Sequence, residues 1–199
     1  MTRPKTLLEM AGAPAAPSAW DRAALLLIDC QNEYAAGGKL ALPGVDAAVA
    51  AAAALLARAR AAGTPVVHVV HQGRPGGLFD PEGPGGAIVA PLAPRTGEAV
   101  VRKTLPNSFA KTELDAVLKQ TGRPELIVGG FMTHMCVSAS VRAALDHGYR
   151  STVVAAACGT RDLPDPLGGV QTADALHRAT LAALADRFAV VVPDLAAWR

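Results

Sequence analysis

The feature that most constrains the fold of this chain is a recurrence of short, unbroken apolar runs, each followed by a stretch of helical character. The first run, Ala23 to Ile28, ends abruptly at Asp29, and an alanine-rich stretch from Val45 to Ala62 follows, closed by Gly63. Pro65 to Val70 and Ala99 to Arg102 read as further strands, Thr112 to Gln120 as a helix, and Glu125 to Val128 as a strand. Met135 to His147 has the apolar density of a buried helix and stops at Gly148, which suits a left-handed C-terminal cap. Ser151 to Ala157 is strand-like, Val170 to Asp186 helical, and Phe188 to Val192 makes a last strand. A strand with one face in water alternates polar and apolar residues. These do not, so both faces must be covered, which calls for a parallel sheet between two layers of helices. The expected fold class is α/β: a single-domain, doubly wound three-layer sandwich with a six-stranded parallel sheet.

At 199 residues the chain fits one domain, expected over 21–199 after an N-terminal arm at 1–20. The arm is either a disordered tail or a segment, Thr6-Leu-Leu-Glu-Met-Ala, that docks as a helix on a neighbouring subunit. The stretch Gln72 to Pro94, rich in Gly and Pro, is too long for an ordinary connection and reads as a lid.

Several function classes are disfavoured. The formal charge is +2 with no Lys/Arg cluster and few aromatics, so a nucleic-acid partner is not expected. Apolar runs stay well below the roughly 20 residues of a spanning helix, so no membrane partner is expected. Glu9 interrupts the segment after Arg3 and Lys5, against a signal peptide. Cys30, Cys136 and Cys158 are odd in number and far apart, which fits free thiols in a reducing, cytoplasmic setting. No phosphate-binding Gly-x-x-x-x-Gly-Lys-Ser/Thr or Gly-x-Gly-x-x-Gly occurs.

Ligands of open α/β sheets bind beyond the carboxyl ends of the strands. Asp29 follows the first strand, Lys103 follows Val100-Val101-Arg102, and Gly129 to Cys136 links a strand to a helix, so all three can converge at one sheet edge. With Thr133 as N-cap, Cys136 falls in the first helical turn. There free N–H groups, the helix dipole and a nearby lysine favour thiolate. The Cys136 N–H can also stabilise an oxyanion, while Asp29 can take the thiol proton, pass it to a leaving amine and activate water. Singly, a helix cysteine is commonly packing, and a strand-end Asp or Lys commonly a turn former or a solvent group. The combination carries the reading. Gln31, Tyr34, Phe109, Thr133 and His134 are placed as pocket residues by position.

Asp29-Cys-Gln-Asn-Glu-Tyr34, Lys103 with Asn107-Ser-Phe109, and Gly130-Phe-Met-Thr-His-Met-Cys-Val137 resemble the isochorismatase-like cysteine hydrolases, in order and in context. The resemblance runs from Ala23 to Val192. It implies an Asp29/Lys103/Cys136 triad, a cis peptide between Phe131 and Met132, and an oxyanion hole from the N–H groups of Met132 and Cys136. It also implies hydrolysis of a small-molecule amide through a thioester, with no redox or nucleotide cofactor, in a homo-oligomer of two or more subunits. Nicotinamidase-like members hold a metal through an Asp-x-His, but here the stretch is Val69-Val70-His71. His68 and His71 point to opposite faces of a strand, so no metal is expected. His71 is expected to line the pocket and His68 to be a core histidine. The branch that hydrolyses the vinyl ether of isochorismate works without a cysteine nucleophile, and Cys136 disfavours it. Where the family commonly has Asp-Ala-Cys, this chain has Ala156-Ala157-Cys158, with Cys158 expected to pack. The competing readings are a papain-like pair of Cys136 with His71 or His134, and a non-catalytic or thiol-sensing protein of the same fold.

Overall fold

The computed structural model describes residues 3–198. In chain order it contains α1 (Leu7–Met10), β1 (Ala23–Ile28), α2 (Val45–Ala61), β2 (Val66–His71), β3 (Ala99–Lys103), α3 (Leu114–Gln120), β4 (Glu125–Phe131), α4 (Ser138–Asp146), β5 (Arg150–Gly159), β6 (Leu163–Pro164), β7 (Val170–Gln171), α5 (Ala173–Arg187) and β8 (Ala189–Val192). Six of the strands form one parallel sheet in the order β3-β2-β1-β4-β5-β8, and β6 and β7 form a small antiparallel hairpin.

The unbroken apolar character of β1 follows from burial on both faces. Leu25 and Leu27 pack with Leu55, Leu56 and Ala59 of α2, while Ala24, Leu26 and Ile28 pack with residues of α3, α4 and α5 such as Leu118, Val141 and Leu184. Two cores therefore sandwich the sheet, as the sequence predicts. The chain order turns back between β1 and β4, so the crevice beyond their carboxyl ends is the expected ligand position.

One local expectation needs correction, and two segments outside the strand and helix pattern are held by specific contacts. The last long helix starts at Ala173, because Val170 and Gln171 pair with β6 and the Thr172 hydroxyl accepts from Ala175 N–H as the N-cap. The stretch Gln72 to Pro94 is pinned closely to the segment after β1: Val89 N–H donates to Cys30 O, Asn32 N–H to Ala87 O, and Phe79 N–H to the buried Glu33 carboxylate. Within the single chain the arm is ordered against α5. Thr6 and Glu9 form a reciprocal capping box around α1, and Leu7 N–H donates to Asp186 of α5 at 2.8 Å. No helix among the described residues is long and apolar enough to cross a membrane.

Candidate active site

β1 delivers Asp29 to the crevice in a left-handed backbone conformation, φ 52°, which aspartate tolerates better than most side chains. Its Oδ2 lies 2.6 Å from Lys103 Nζ, and neither side chain has any solvent exposure. The same ammonium donates to Cys136 Sγ at 3.3 Å. One lysine nitrogen thus bridges carboxylate and thiol in a buried pocket, where an unpaired ammonium would be strongly disfavoured.

Gly130 makes this approach possible. Its φ is 128°, and a Cβ there would lie 2.0 Å from the Ile28 carbonyl oxygen, so only glycine lets β4 press against the end of β1. The Phe131–Met132 peptide is cis, at the expected bond. Met132 N–H has no backbone acceptor among the described residues, while its carbonyl accepts from Met135 N–H at 3.0 Å and Val137 N–H at 3.2 Å. The bond to Val137 spans five residues, so Thr133 to Val137 form a wide π-type turn ahead of α4.

The electrostatics run against one expectation. Burial raises the Asp29 carboxyl, with the Lys103 ammonium opposing. The Cys136 thiol is pushed up to about 12, first by burial and then by the Asp29 charge, against the pull of Lys103. Lost hydration and the adjacent carboxylate thus work against the helix start and the ammonium, in the direction that favours the thiol. The raised carboxyl beside it is correspondingly a better base than an exposed aspartate.

This Asp/Lys/Cys cluster at the β1/β4 crossover lies within the span, residues 23–193, that matches the family model for the isochorismatase domain. The chain belongs to the isochorismatase family. It is 44% identical to an isochorismatase from Pseudomonas putida of known crystal structure, with a TM-score of 0.91 over 96% of this chain and 97% of the other. It is 38% identical over 181 residues to a streptothricin hydrolase of Streptomyces noursei, covering 90% of this chain and 71% of that one. It is 36% identical over 154 residues to a maleamate amidohydrolase of Pseudomonas putida, covering 69% and 72%. The protein is accordingly a hydrolase of the isochorismatase family.

Around the cluster of this family member, the remaining residues divide. Tyr34 is buried against Phe79 and Phe131, and its hydroxyl pKa is raised by burial and by the proximity of Asp29 and Cys136. His71 is half-buried with its ring edge-on to Phe79, and burial followed by the Lys103 ammonium lowers its pKa, against the pull of Asp29. His134 is half-buried and hydrogen-bonded through Nδ1 to Thr160. No histidine hydrogen-bonds Cys136 among the described residues, so a papain-like pair is not formed.

Three expected pocket residues serve other contacts. Gln31 is a tether: its amide donates to His71 O and Gly86 O at 2.9 and 2.8 Å and accepts from His71 N–H at 2.8 Å, fixing the loop to β2. Phe109 stacks on His147 at 4.6 Å, beside Tyr149 just ahead of β5, away from the carboxyl edge. Thr133 is not an N-cap. Because Met132 takes the capping position, the Thr133 hydroxyl turns to Gly159 O at 3.1 Å and His177 Nδ1 at 2.9 Å. His68 is buried as expected, held by Glu98 at 3.0 Å, and Glu98 also receives Arg60.

Sequence reasoning missed Phe79, Glu33, Thr160, His177 and Arg161. Phe79 sits in a loop and Glu33 in a single 3-10 turn, Asn32–Tyr34, both too short for periodicity. Arg161 follows Thr160, acts electrostatically on Tyr34 and His134, and has a buried Nε with no hydrogen-bond partner and no carboxylate partner among the described residues. The motif Gly-Thr-Arg after a strand was the available signal. Among the described residues no group of three or more His, Cys, Asp or Glu is arranged to hold a metal ion.

Proposed function

We propose that this protein hydrolyses a C–N bond of a small amide through a thioester on Cys136. The observation that carries the reading is the single Lys103 nitrogen within 2.6 Å of Asp29 and 3.3 Å of Cys136, with all three side chains buried. As Sγ attacks the carbonyl carbon, its proton passes to Asp29, and Lys103 balances the charge that appears on sulfur. The carbonyl oxygen becomes an oxyanion held by Met132 and Cys136 N–H. Collapse breaks the C–N bond, and Asp29 returns the proton to the departing nitrogen. The emptied carboxylate then takes a proton from water, which attacks the thioester carbon and releases the acid and the thiol.

Arg161, whose Nε has no hydrogen-bond partner, whose Nη1 donates to Asp162 O at 3.4 Å, and which has no carboxylate partner among the described residues, acts electrostatically on Tyr34 and His134 and favours an amide that also carries an anionic group. The relatives named for streptothricin and for maleamate hydrolysis support C–N cleavage as the reaction class. The test is release of ammonia or amine from a panel of small amides, with and without a carboxylate, by wild type and by Cys136→Ala. Turnover lost by orders of magnitude in the variant is the expected result. Turnover by neither protein, together with an alkylation profile of an ordinary free thiol, favours the non-catalytic or thiol-sensing alternative.

A further inference from the structure

Resting on that reading, we infer that His177 of α5 is a positioning residue for the oxyanion turn, acting through Thr133. The Thr133 side chain is completely buried and has a single hydroxyl proton. With that proton donated to Gly159 O at 3.1 Å, the hydroxyl oxygen can only accept at its other contact, so His177 Nδ1, 2.9 Å away, is the protonated ring nitrogen. Thr133 directly follows Met132, one proposed oxyanion donor, and precedes Cys136, the other, by one turn.

That turn needs outside support. It has no side-chain N-cap, and its five-residue bond to Met132 O leaves it without a regular helical ladder to fix its shape. Two hydroxyl–imidazole ties replace the cap. Thr133 is bound to the end of β5 and to α5, and His134 Nδ1 is bound to the buried Thr160 hydroxyl on the next residue of the β5 exit. The base of His177 is itself fixed, since Thr172 caps α5 and Asp162 accepts from Ala173 N–H at 2.7 Å. His177 also borders a cleft of about 360 Å³ with Thr160, Asp174 and Gly44. Loss of its N–H there leaves the Thr133 hydroxyl free to reorient, and Met132 N–H free to shift with it.

The experiment separates oxyanion geometry from thiol reactivity. Acylation of Cys136 by p-nitrophenyl acetate passes through an oxyanion, whereas alkylation by iodoacetamide does not. His177→Phe should slow the acylation burst by about tenfold or more while alkylation stays near the wild-type rate. His177→Asn, whose amide N–H can stand where Nδ1–H stood, should recover most of the burst, and His177→Gln should not. In a Thr133→Val background, His177→Phe should add nothing further, which marks action through Thr133 and not a general structural loss. An unchanged burst in His177→Phe, or equal loss of burst and alkylation, overturns the proposal. If His177→Phe does not fold, equal bursts in the Asn and Gln variants overturn it. A wild type with no burst on Cys136 overturns the hydrolase reading itself, a separate outcome.

Discussion

Replacing Asp29 by Asn should make Cys136 more reactive toward an alkylating agent, although it should abolish turnover. The thiol stands at about 12 instead of 9.0, with burial and the Asp29 charge as the two largest causes. At pH 8 that difference takes the thiolate fraction from about one in ten to about one in ten thousand. The slope of the rate against pH is the better readout, because a thiol only 4% exposed is also slow to meet reagent. In a Cys30→Ser/Cys158→Ser background, iodoacetamide alkylation followed by intact mass should rise about tenfold per pH unit up to pH 10 without a plateau. Asp29→Asn removes the charge that disfavours thiolate, so the plateau should move down and the rate at pH 8 should rise. Lys103→Met removes the opposing charge and should depress the rate further. A plateau below pH 8 in the wild type, or slower alkylation in Asp29→Asn, refutes a resting thiol held by its carboxylate neighbour.

Three further outcomes follow from the same geometry. Lys103→Met leaves Asp29 buried without its counter-ion and should cost about 3–5 kcal/mol in urea unfolding, with much of the loss recovered in Asp29→Asn/Lys103→Met; no recovery would show that the pair does not account for the loss. Glu98, held by Arg60 and His68, has its carboxyl lowered from 4.5 to about 2, so its ionised form contributes about 3 kcal/mol that is present above pH 4.5 and lost as pH falls toward 2. The stability gap between wild type and Glu98→Gln should therefore close across that window in chemical unfolding at stepped pH, and a constant gap contradicts the assignment. Gly130→Ala places a Cβ 2.0 Å from Ile28 O, so thermal melting should show a severely destabilised or unfolded protein, and a native-like melt would mean that the β1/β4 contact yields.

Much of the fold was legible because burial on both faces writes itself into a strand as a continuous apolar run, as in Leu25-Leu26-Leu27-Ile28. The ends were less so. β5 continues to Gly159 because three added residues bulge it around β4, pairing Val128 with Val153 but Gly130 with Cys158, and no local pattern in Ala155-Ala156-Ala157 signals that shift. Val170 looked helical by composition, yet Thr172 two residues later is the cap, and the hairpin claims what precedes it.

Asp29, Lys103 and Cys136 were recognisable because each stands at a strand exit in a sequence context that resembles a known family. The partners were not. Gln31 and Thr133 stand in those motifs but bond backbone and imidazole groups 26 to 55 residues away, which adjacency to a catalytic residue cannot show. Glu98, His177 and Arg161 are ordinary surface types in sequence, and only tertiary packing brings them to His68, Thr133 and Tyr34. Burial works against the thiolate expectation for a related reason, since dipole and lysine were read locally while desolvation is a property of the whole pocket.

The most direct test of the proposed chemistry is rapid-quench intact-mass analysis of the wild type with an amide that it turns over, followed by peptide mapping. The expected result is a transient acyl adduct on Cys136 that forms before acid product and disappears as product accumulates. Product formation with no adduct at any time, or with undiminished turnover in Cys136→Ala, would contradict covalent catalysis by this thiol.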